Sequence, residues 1–322
     1  MDLVFVFLIL IPIGIAVGIF GAITGLGGGV LMVPTLALGI FLFSNPISND
    51  ITYATTISST VILFTAISGS VAFAIQRKID YVVGLASAPF TMLGSYLGKF
   101  TQQKIEATAN GETIVLFFFV ILLLATSARM IYKVIATKRK AMKAQTNDLK
   151  TENLMNPEPQ VKGTDVQPTR YKLFLDKLTL NRVVIDNSNK KWEYSAKLYL
   201  TPINILGGFV ASMVGVGGGI VMVPVLNLLI GLPIHFSTAT SVFIMIFTKV
   251  ITITTAYTGT SVTEGIWWPY VAGLATGIII GAQLGALFAK KIKADPLKIL
   301  FAVVITIVAI WSLVDWQLQL TS

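Results

Sequence analysis

The chain has no cysteine and only one histidine among its 322 residues. The absence of cysteine excludes disulfide bonds, thiolate metal ligands and cysteine nucleophiles, and it leaves the redox compartment undetermined. Charged residues are also scarce, at 12% of the chain, against roughly 25% in ordinary soluble domains. A chain so poor in charge does not have water as its main solvent.

Hydrophobic residues make up 54% of the chain, and its mean hydropathy is +0.79. About 20 apolar residues are enough for a helix to cross a hydrocarbon core of about 30 Å. The first apolar stretch, Leu3–Ile23, lacks a basic n-region and a small-residue cleavage site, so we interpret it as a retained span. Polar or turn-rich breaks give ten segments, near 3–24, 29–43, 51–75, 81–99, 113–136, 197–214, 219–232, 237–259, 266–289 and 297–314.

The two halves of the chain are related to each other. The stretch Gly25–Pro34 matches Gly215–Pro224 apart from exchanges between aliphatic residues, and two further pairs of motifs follow in the same order. These are Ala54-Thr55-Thr56-Ile57 with Ala239-Thr240-Ser241-Val242, and Gly94-Ser95-Tyr96-Leu97-Gly98 with Gly281-Ala282-Gln283-Leu284-Gly285. An odd number of segments per half reverses the direction of the second half in the membrane. The sequence therefore predicts an all-α polytopic membrane protein with two inverted five-segment repeats.

A long basic loop separates the halves, giving an N-terminal repeat at 1–136, a linker at 137–196 and a C-terminal repeat at 197–322. Lys133–Lys197 holds 14 Lys/Arg and seven Asp/Glu, which accounts for most of the net charge of +9. Such an excess is typical of cytoplasmic loops and argues against nucleic acid as the partner. We expect a multi-pass protein of the cytoplasmic membrane with a cytoplasmic linker and both termini outside. The loop that contains Lys99 is expected outside as well.

Two details of this topology stay open at the level of sequence. Each glycine-rich pair of segments is either two full crossings or a re-entrant hairpin. Hydropathy does not separate these two models, because both return the chain to its starting side. Within the linker, the apolar runs on either side of Asp186–Asn189 indicate a hairpin or an interfacial patch.

The glycine-rich clusters are the strongest candidates for a binding site. They occupy matching places in the two halves and precede the shortest apolar segments, which is the pattern of a midplane site made by broken helices. Convergent backbone N–H groups at a helix start attract anions, and glycines let a ligand come close. The alternative is that the glycines only allow tight helix packing. The candidates are Gly25, Gly27, Gly28 and Gly29 in the first cluster and Gly215, Gly217, Gly218 and Gly219 in the second.

Polar residues within the spans extend this candidate site. Lys249 stands about midway along its segment, where a charge is costly and usually faces a cavity, a counter-charge or a substrate. The hydroxyl-bearing Thr55, Thr56, Thr240 and Ser241 either donate to an anion or bond their own backbone, and Gln283 either contacts substrate or bonds across helices. The spans show no nucleophile with a base, no metal-ligand set and no carboxylate pair. We therefore expect no enzymatic activity, no metal and no cofactor.

The paired glycine clusters, the Ala-Thr-Thr/Ser elements and the Gly-x-x-Leu-Gly pairs resemble the sulfite exporter TauE/SafE family of membrane permeases. The resemblance covers both hydrophobic halves but not the central linker. It implies a secondary transporter that moves a small sulfur-containing anion, sulfite or an organosulfonate, by alternating access, with the glycine clusters at the site. The alternatives are an anion channel and a membrane scaffold that acts through the linker. A homo-oligomer is left open.

Overall fold

The computed structural model describes residues 3–24, 27–29, 32, 51–106, 179–185, 191–213, 215, 217–259 and 268–288, with single positions at 108, 117, 121, 128 and 132. The predicted segments near 29–43, 113–136 and 297–314, like Gly25, lie outside these ranges or touch them only at single positions. In chain order the helices and strands are α1 Leu3–Thr24, α2 Ile51–Ile75, α3 Tyr81–Glu106, β1 Thr179–Ile185, β2 Lys191–Lys197, a 3-10 helix Leu198–Ile203, α4 Asn204–Met213, α5 Gly219–Pro224, a π-helix Val225–Ile230, α6 Ile234–Gly259 and α7 Trp268–Phe288.

Three of these helices are long and apolar enough to cross a membrane, over Thr55–Ile75, Ile234–Thr258 and Val271–Phe288. Their side chains are arranged with apolar groups outside and polar groups inside. On α2, for example, the large exposed side chains are Phe64, Ile67, Val71 and Ile75. The hydroxyls of the same helix are buried, including Thr55, Thr56, Ser58, Ser59, Thr65 and Ser68. Such a surface suits lipid, and the prediction of a helical membrane protein is confirmed at this level.

Small residues let the helix backbones approach closely. A Cβ added at Gly281 would overlap the carbonyl oxygen of Ile15, which brings α7 directly against α1. In the same way, a Cβ added at Gly94 would overlap the carbonyl oxygen of Ile205, where α3 meets α4. Gly98 and Gly285 make equivalent contacts one turn further along. The Gly-x-x-Leu-Gly pairs therefore serve helix packing, as their spacing predicts.

The closely packed helix pairs each combine one helix from the N-terminal half with one from the C-terminal half. The first helix of the N-terminal half, α1, packs along α7 of the C-terminal half, and α4 of the C-terminal half packs along α3 of the N-terminal half. At the centre, α2 packs against α6, and these are the two helices that carry the matching Ala-Thr-Thr/Ser elements. Each half therefore completes the core of the other.

The second glycine cluster forms a turn inside the bundle rather than a connection at its surface. The returning arm consists of α5 and the π-helix, each six residues long. Together they extend about 18 Å at roughly 1.5 Å per residue, too short for a hydrocarbon core of about 30 Å. The arm ends at Gly231, where an added Cβ would lie 2.7 Å from the carbonyl oxygen of Ser195 on β2. Since β2 leads through the 3-10 helix into α4, the arm returns the chain to the end of the bundle at which α4 begins.

The end of the linker forms the predicted hairpin. Strands β1 and β2 are antiparallel, with Thr179 opposite Lys197 and Ile185 opposite Lys191. Alternate side chains of β2 point inward: the rings of Trp192 and Tyr194 lie 5.9 Å and 5.6 Å from the ring of Phe236 on α6. The hairpin adds a small sheet to the predicted helical fold, and β2 crosses the predicted boundary between residues 196 and 197.

A buried carboxylate attaches this hairpin to the start of α3. Oδ1 of Asp80 accepts hydrogen bonds from the backbone N–H groups of Val82 and Val83, at 3.1 Å and 3.2 Å, and so caps the helix. Oδ2 of Asp80 accepts a 2.7 Å hydrogen bond from the hydroxyl of Tyr194, and Arg182 of β1 lies 3.6 Å from Oδ1. Burial, and then the hydrogen bond to Asp80, raise the pKa of Tyr194 well above its ordinary value. The phenol therefore stays a donor.

Candidate functional site

Lys249 is fully buried about midway along α6. Its ammonium group donates to Oγ of Ser59 at 3.2 Å and to the carbonyl oxygen of Ala211 at 3.5 Å. Neither of the two ion pairs found within the described ranges includes this lysine. A cation held at this depth by neutral partners is costly, and it points to a function that needs positive charge there.

A second buried cation, Lys99, reaches the same region from α3. It is fully buried and donates to Oε1 of Gln102 at 3.0 Å and to Oγ1 of Thr55 at 3.4 Å. Gln102 in turn donates to Oγ1 of Thr55 at 3.0 Å. The expectation that Lys99 lies in an outside loop is therefore wrong, because α3 continues to Glu106 and turns this lysine inward.

The sequence carried a signal for this second lysine. Ser95, Lys99 and Gln102 are spaced at four and three residues, which places them on one helix face, and all three are buried. The large side chains at Tyr96 and Phe100 between them are exposed. The helical period of buried side chains therefore continues through Lys99, although average hydropathy ends the predicted apolar segment at that residue.

The two lysines meet on one face of α2. Their partners Thr55 and Ser59 are four residues apart, so the side chains start about 5–6 Å from each other. We call Lys99, Lys249, Thr55, Ser59 and Gln102 the dilysine cluster. Both amines are removed from water, so the cluster places two basic side chains inside the bundle.

The second glycine turn lies directly beside the dilysine cluster. Gly215 has φ of +72°, and its carbonyl oxygen accepts a 3.0 Å hydrogen bond from Oγ of Ser58 on α2. A Cβ at Gly215 would lie 2.7 Å from Cβ of Thr55, so both the conformation and the space require glycine. Gly217, Gly218 and Gly219 follow as buried residues, and α5 begins at Gly219. Three residues that were predicted for the site, Gly215, Thr55 and Lys249, therefore lie in the same region of the bundle.

The first glycine turn packs against α6 one helical turn before Lys249. Gly27 and Gly28 have φ of +70° and +72°, and Gly29 is buried beside them. A Cβ at Gly27 would lie 2.5 Å from Sδ of Met245, one turn before Lys249 on α6. The aligned partners of Gly27 and Gly28, which are Gly217 and Gly218, do not have positive φ. The two clusters therefore match in sequence more closely than in backbone conformation.

The remaining predicted site residues have other partners. Thr56 is buried within α2, and Ser241 donates to the carbonyl oxygen of Thr238 on its own helix. Thr240 accepts a 3.0 Å hydrogen bond from the backbone N–H of Asp80, and Gln283 donates to both oxygens of Ser68. Their contact with a substrate stays a prediction. The described ranges also contain no group of three or more His, Asp or Glu side chains suited to a metal ion.

These features define a helical membrane protein built around a buried basic site. The model of the family described as "Sulfite exporter TauE/SafE" matches residues 10–312, so the chain belongs to that family of membrane permeases. It is also 25% identical over 309 residues to "Probable membrane transporter protein YunE" of Bacillus subtilis (strain 168), covering 94% of this chain and 95% of that protein. No solved structure matches the chain. The family predicted from the glycine motifs is confirmed.

Proposed function

We propose that this permease is a secondary transporter of small sulfur-containing anions, sulfite or an organosulfonate. The observation that carries the proposal is Lys249, a fully buried cation midway along α6 whose described partners are a hydroxyl and a carbonyl oxygen. An anionic substrate supplies a counter-charge that no carboxylate of the described residues provides. The dilysine cluster and the glycine turn at Gly215 together form the binding site.

Transport follows from where this site lies. The cluster is formed by α2 and α3 of the N-terminal half and by α6 of the C-terminal half, so movement of one half against the other exposes it to one side at a time. The ten segments form two inverted repeats, with the basic linker in the cytoplasm and both termini outside. The substrate undergoes no chemical change in this scheme.

A channel is the main alternative to a transporter, and a scaffold acting through the linker is the other. A channel needs an uninterrupted path, whereas the glycine turn lies against α2 through the hydrogen bond from Ser58 to Gly215. A scaffold acts through the linker, and at the described end of the linker Trp192 and Tyr194 pack inward against Phe236. Both contacts favour the transporter.

Counterflow in proteoliposomes tests the proposal. Vesicles loaded with unlabelled sulfite and containing the purified protein are expected to accumulate radiolabelled sulfite from outside, because a carrier exchanges one ligand for another. Lys249→Met should abolish this exchange. Lys104→Met, which removes an exposed lysine from α3, serves as the matched control and should leave it intact. Flux without any stimulation by internal sulfite would indicate a channel.

A further inference from the structure

Lys249 is a titratable group whose hydrogen-bond partners are both uncharged. Its Nζ atom donates to Oγ of Ser59 and to the carbonyl oxygen of Ala211, and the side chain is fully buried. We propose that Lys249 takes up one proton when the anion binds and returns it when the anion leaves, which couples anion transport to protons. This inference rests on the proposed function and adds the coupling ion.

The helices packed against α6 offer Lys249 no carboxylate at its own depth within the described ranges. These elements are α2, α3, α4, α5 and the π-helix. Apart from α3, none of them contains Asp, Glu, Lys, Arg or His. Helix α3 contributes Lys99 to the dilysine cluster, and this side chain is basic as well. Glu106, the last residue of α3, lies about 10 Å further along the helix axis than Lys99.

The buried carboxylate of Asp80 lies at another level of the bundle. The backbone N–H of Asp80 donates to Thr240, which lies about 13 Å before Lys249 along α6. The other titratable residues of α6 are His235 and Tyr257, about 21 Å before and about 12 Å after Lys249. No carboxylate of the described residues therefore compensates a charge on this amine.

Ser59 fits both protonation states of the amine. The preceding hydroxyl, that of Ser58, donates to the carbonyl oxygen of Gly215, whereas the hydroxyl of Ser59 has no such acceptor among the residues that the structure describes. A neutral amine is able to accept from this hydroxyl while one of its N–H groups donates to Ala211. An ammonium group has three donors. Ser59 and Ala211 use two of them, so the third is available to an anion.

The proton balance follows from the cost of a buried charge. Such a charge is expensive unless it is paired, so the amine is neutral in the empty site and becomes an ammonium group beside an anion. As the anion enters, the lone pair of Nζ binds one proton from the aqueous side to which the site is open. When the anion leaves on the other side, the N–H bond breaks and that proton returns to water. A singly charged anion therefore crosses with no net charge.

Proton uptake on binding is measured by isothermal titration calorimetry on the purified full-length protein in lipid nanodiscs. Each titration is run at one pH in Tris and in triethanolamine, two non-anionic buffers whose different ionisation enthalpies reveal the number of protons exchanged. Methanesulfonate and thiosulfate are the main probes, because they keep their charge near neutral and alkaline pH and add no proton of their own. Sulfite is a third probe, and its own proton cancels when two proteins are compared.

Two variants accompany the wild type. Lys249→Arg keeps a positive charge that cannot be lost, because a guanidinium does not deprotonate in proteins. It should bind the probes with no proton uptake and with an affinity that changes little with pH. Lys104→Arg, at an exposed position of α3, is the matched control and should behave as the wild type.

The wild type is expected to take up about one proton per anion at about pH 8.5, and less at lower pH, where the amine is already charged. Its affinity should fall about tenfold per pH unit in the alkaline range. With sulfite, the wild type should take up about one proton more than Lys249→Arg.

The outcomes separate the two proposals. Binding without proton uptake at any pH, or the same uptake in Lys249→Arg as in the wild type, overturns the inference and leaves the proposed function standing. Binding of no probe, together with no sulfite counterflow, overturns the proposed function and the inference with it. If Lys249→Arg does not bind, Lys99→Arg decides: proton uptake that persists supports Lys249, whereas uptake that vanishes assigns the proton to Lys99 and overturns the inference.

Discussion

Two glycines of the second cluster should respond very differently to the same change. Gly215→Ala places a side chain at φ of +72°, which costs about 1–2 kcal/mol for an L-residue. The added Cβ also lies 2.7 Å from Cβ of Thr55, and such overpacking costs about 1–3 kcal/mol. We therefore expect Gly215→Ala to lower the free energy of unfolding by about 2–5 kcal/mol.

Gly218→Ala is the matched control for this prediction. Gly218 has φ of −56°, a conformation open to alanine. The nearest atom to its added Cβ is the terminal methyl of Met222, at 2.8 Å, which is able to move. We expect a loss below about 1 kcal/mol, within the range for well-tolerated core changes.

Thermal unfolding and anion binding of the two variants in detergent give the comparison. Gly215→Ala should unfold at a clearly lower temperature and bind the anion more weakly, because Thr55 positions Lys99 and Gln102. Gly218→Ala should stay close to the wild type in thermal unfolding. An equal loss of stability in the two variants would refute the geometry of the glycine turn.

Three further predictions concern packing and the hairpin. Gly281→Val should lower the unfolding temperature by separating α7 from α1, whereas Leu284→Ala, on the exposed side of the same helix, should change it little. Asp80→Asn removes the ion pair with Arg182, whose side chain is 33% exposed, and should therefore speed tryptic cleavage at that arginine in the folded protein. Because the pKa of Tyr194 is raised in the folded state, its stabilising effect is complete below the ordinary tyrosine pKa of about 10 and is lost as pH rises above it. The wild type should accordingly lose more stability than Tyr194→Phe in an alkaline series of unfolding measurements.

The sequence predicted the fold and the site best where a residue type at a given spacing has one physical explanation. A lysine midway along an apolar segment predicts a buried functional charge, and Lys249 is buried at mid-helix with polar partners. Glycines four residues apart predict close helix packing, and Gly94 and Gly98 lie against backbone carbonyl oxygens. Both conclusions depend on local spacing and on the cost of charge in lipid, so neither needs the tertiary fold.

Residues whose role depends on a distant partner were less predictable. Lys99 follows an apolar run and continues one face of α3, but its partner Thr55 lies 44 positions earlier in the chain. Asp80 is similar, because it acts through Tyr194 of the hairpin, 114 positions away. Sequence identity between the glycine clusters does not extend to the backbone, because Gly27 and Gly28 have positive φ whereas their aligned partners Gly217 and Gly218 do not.

The central claim, that a small anion binds at Lys249, is tested most directly by thermal-shift measurements on purified protein titrated with sulfite, thiosulfate, sulfate and small sulfonates. A ligand that binds only the folded state adds about 2.7 kcal/mol at a concentration 100 times its Kd. Saturable stabilisation of the wild type and of Lys104→Met, absent in Lys249→Met, is the predicted result. Equal stabilisation of all three proteins would contradict the claim, because the anion would then bind without the buried lysine.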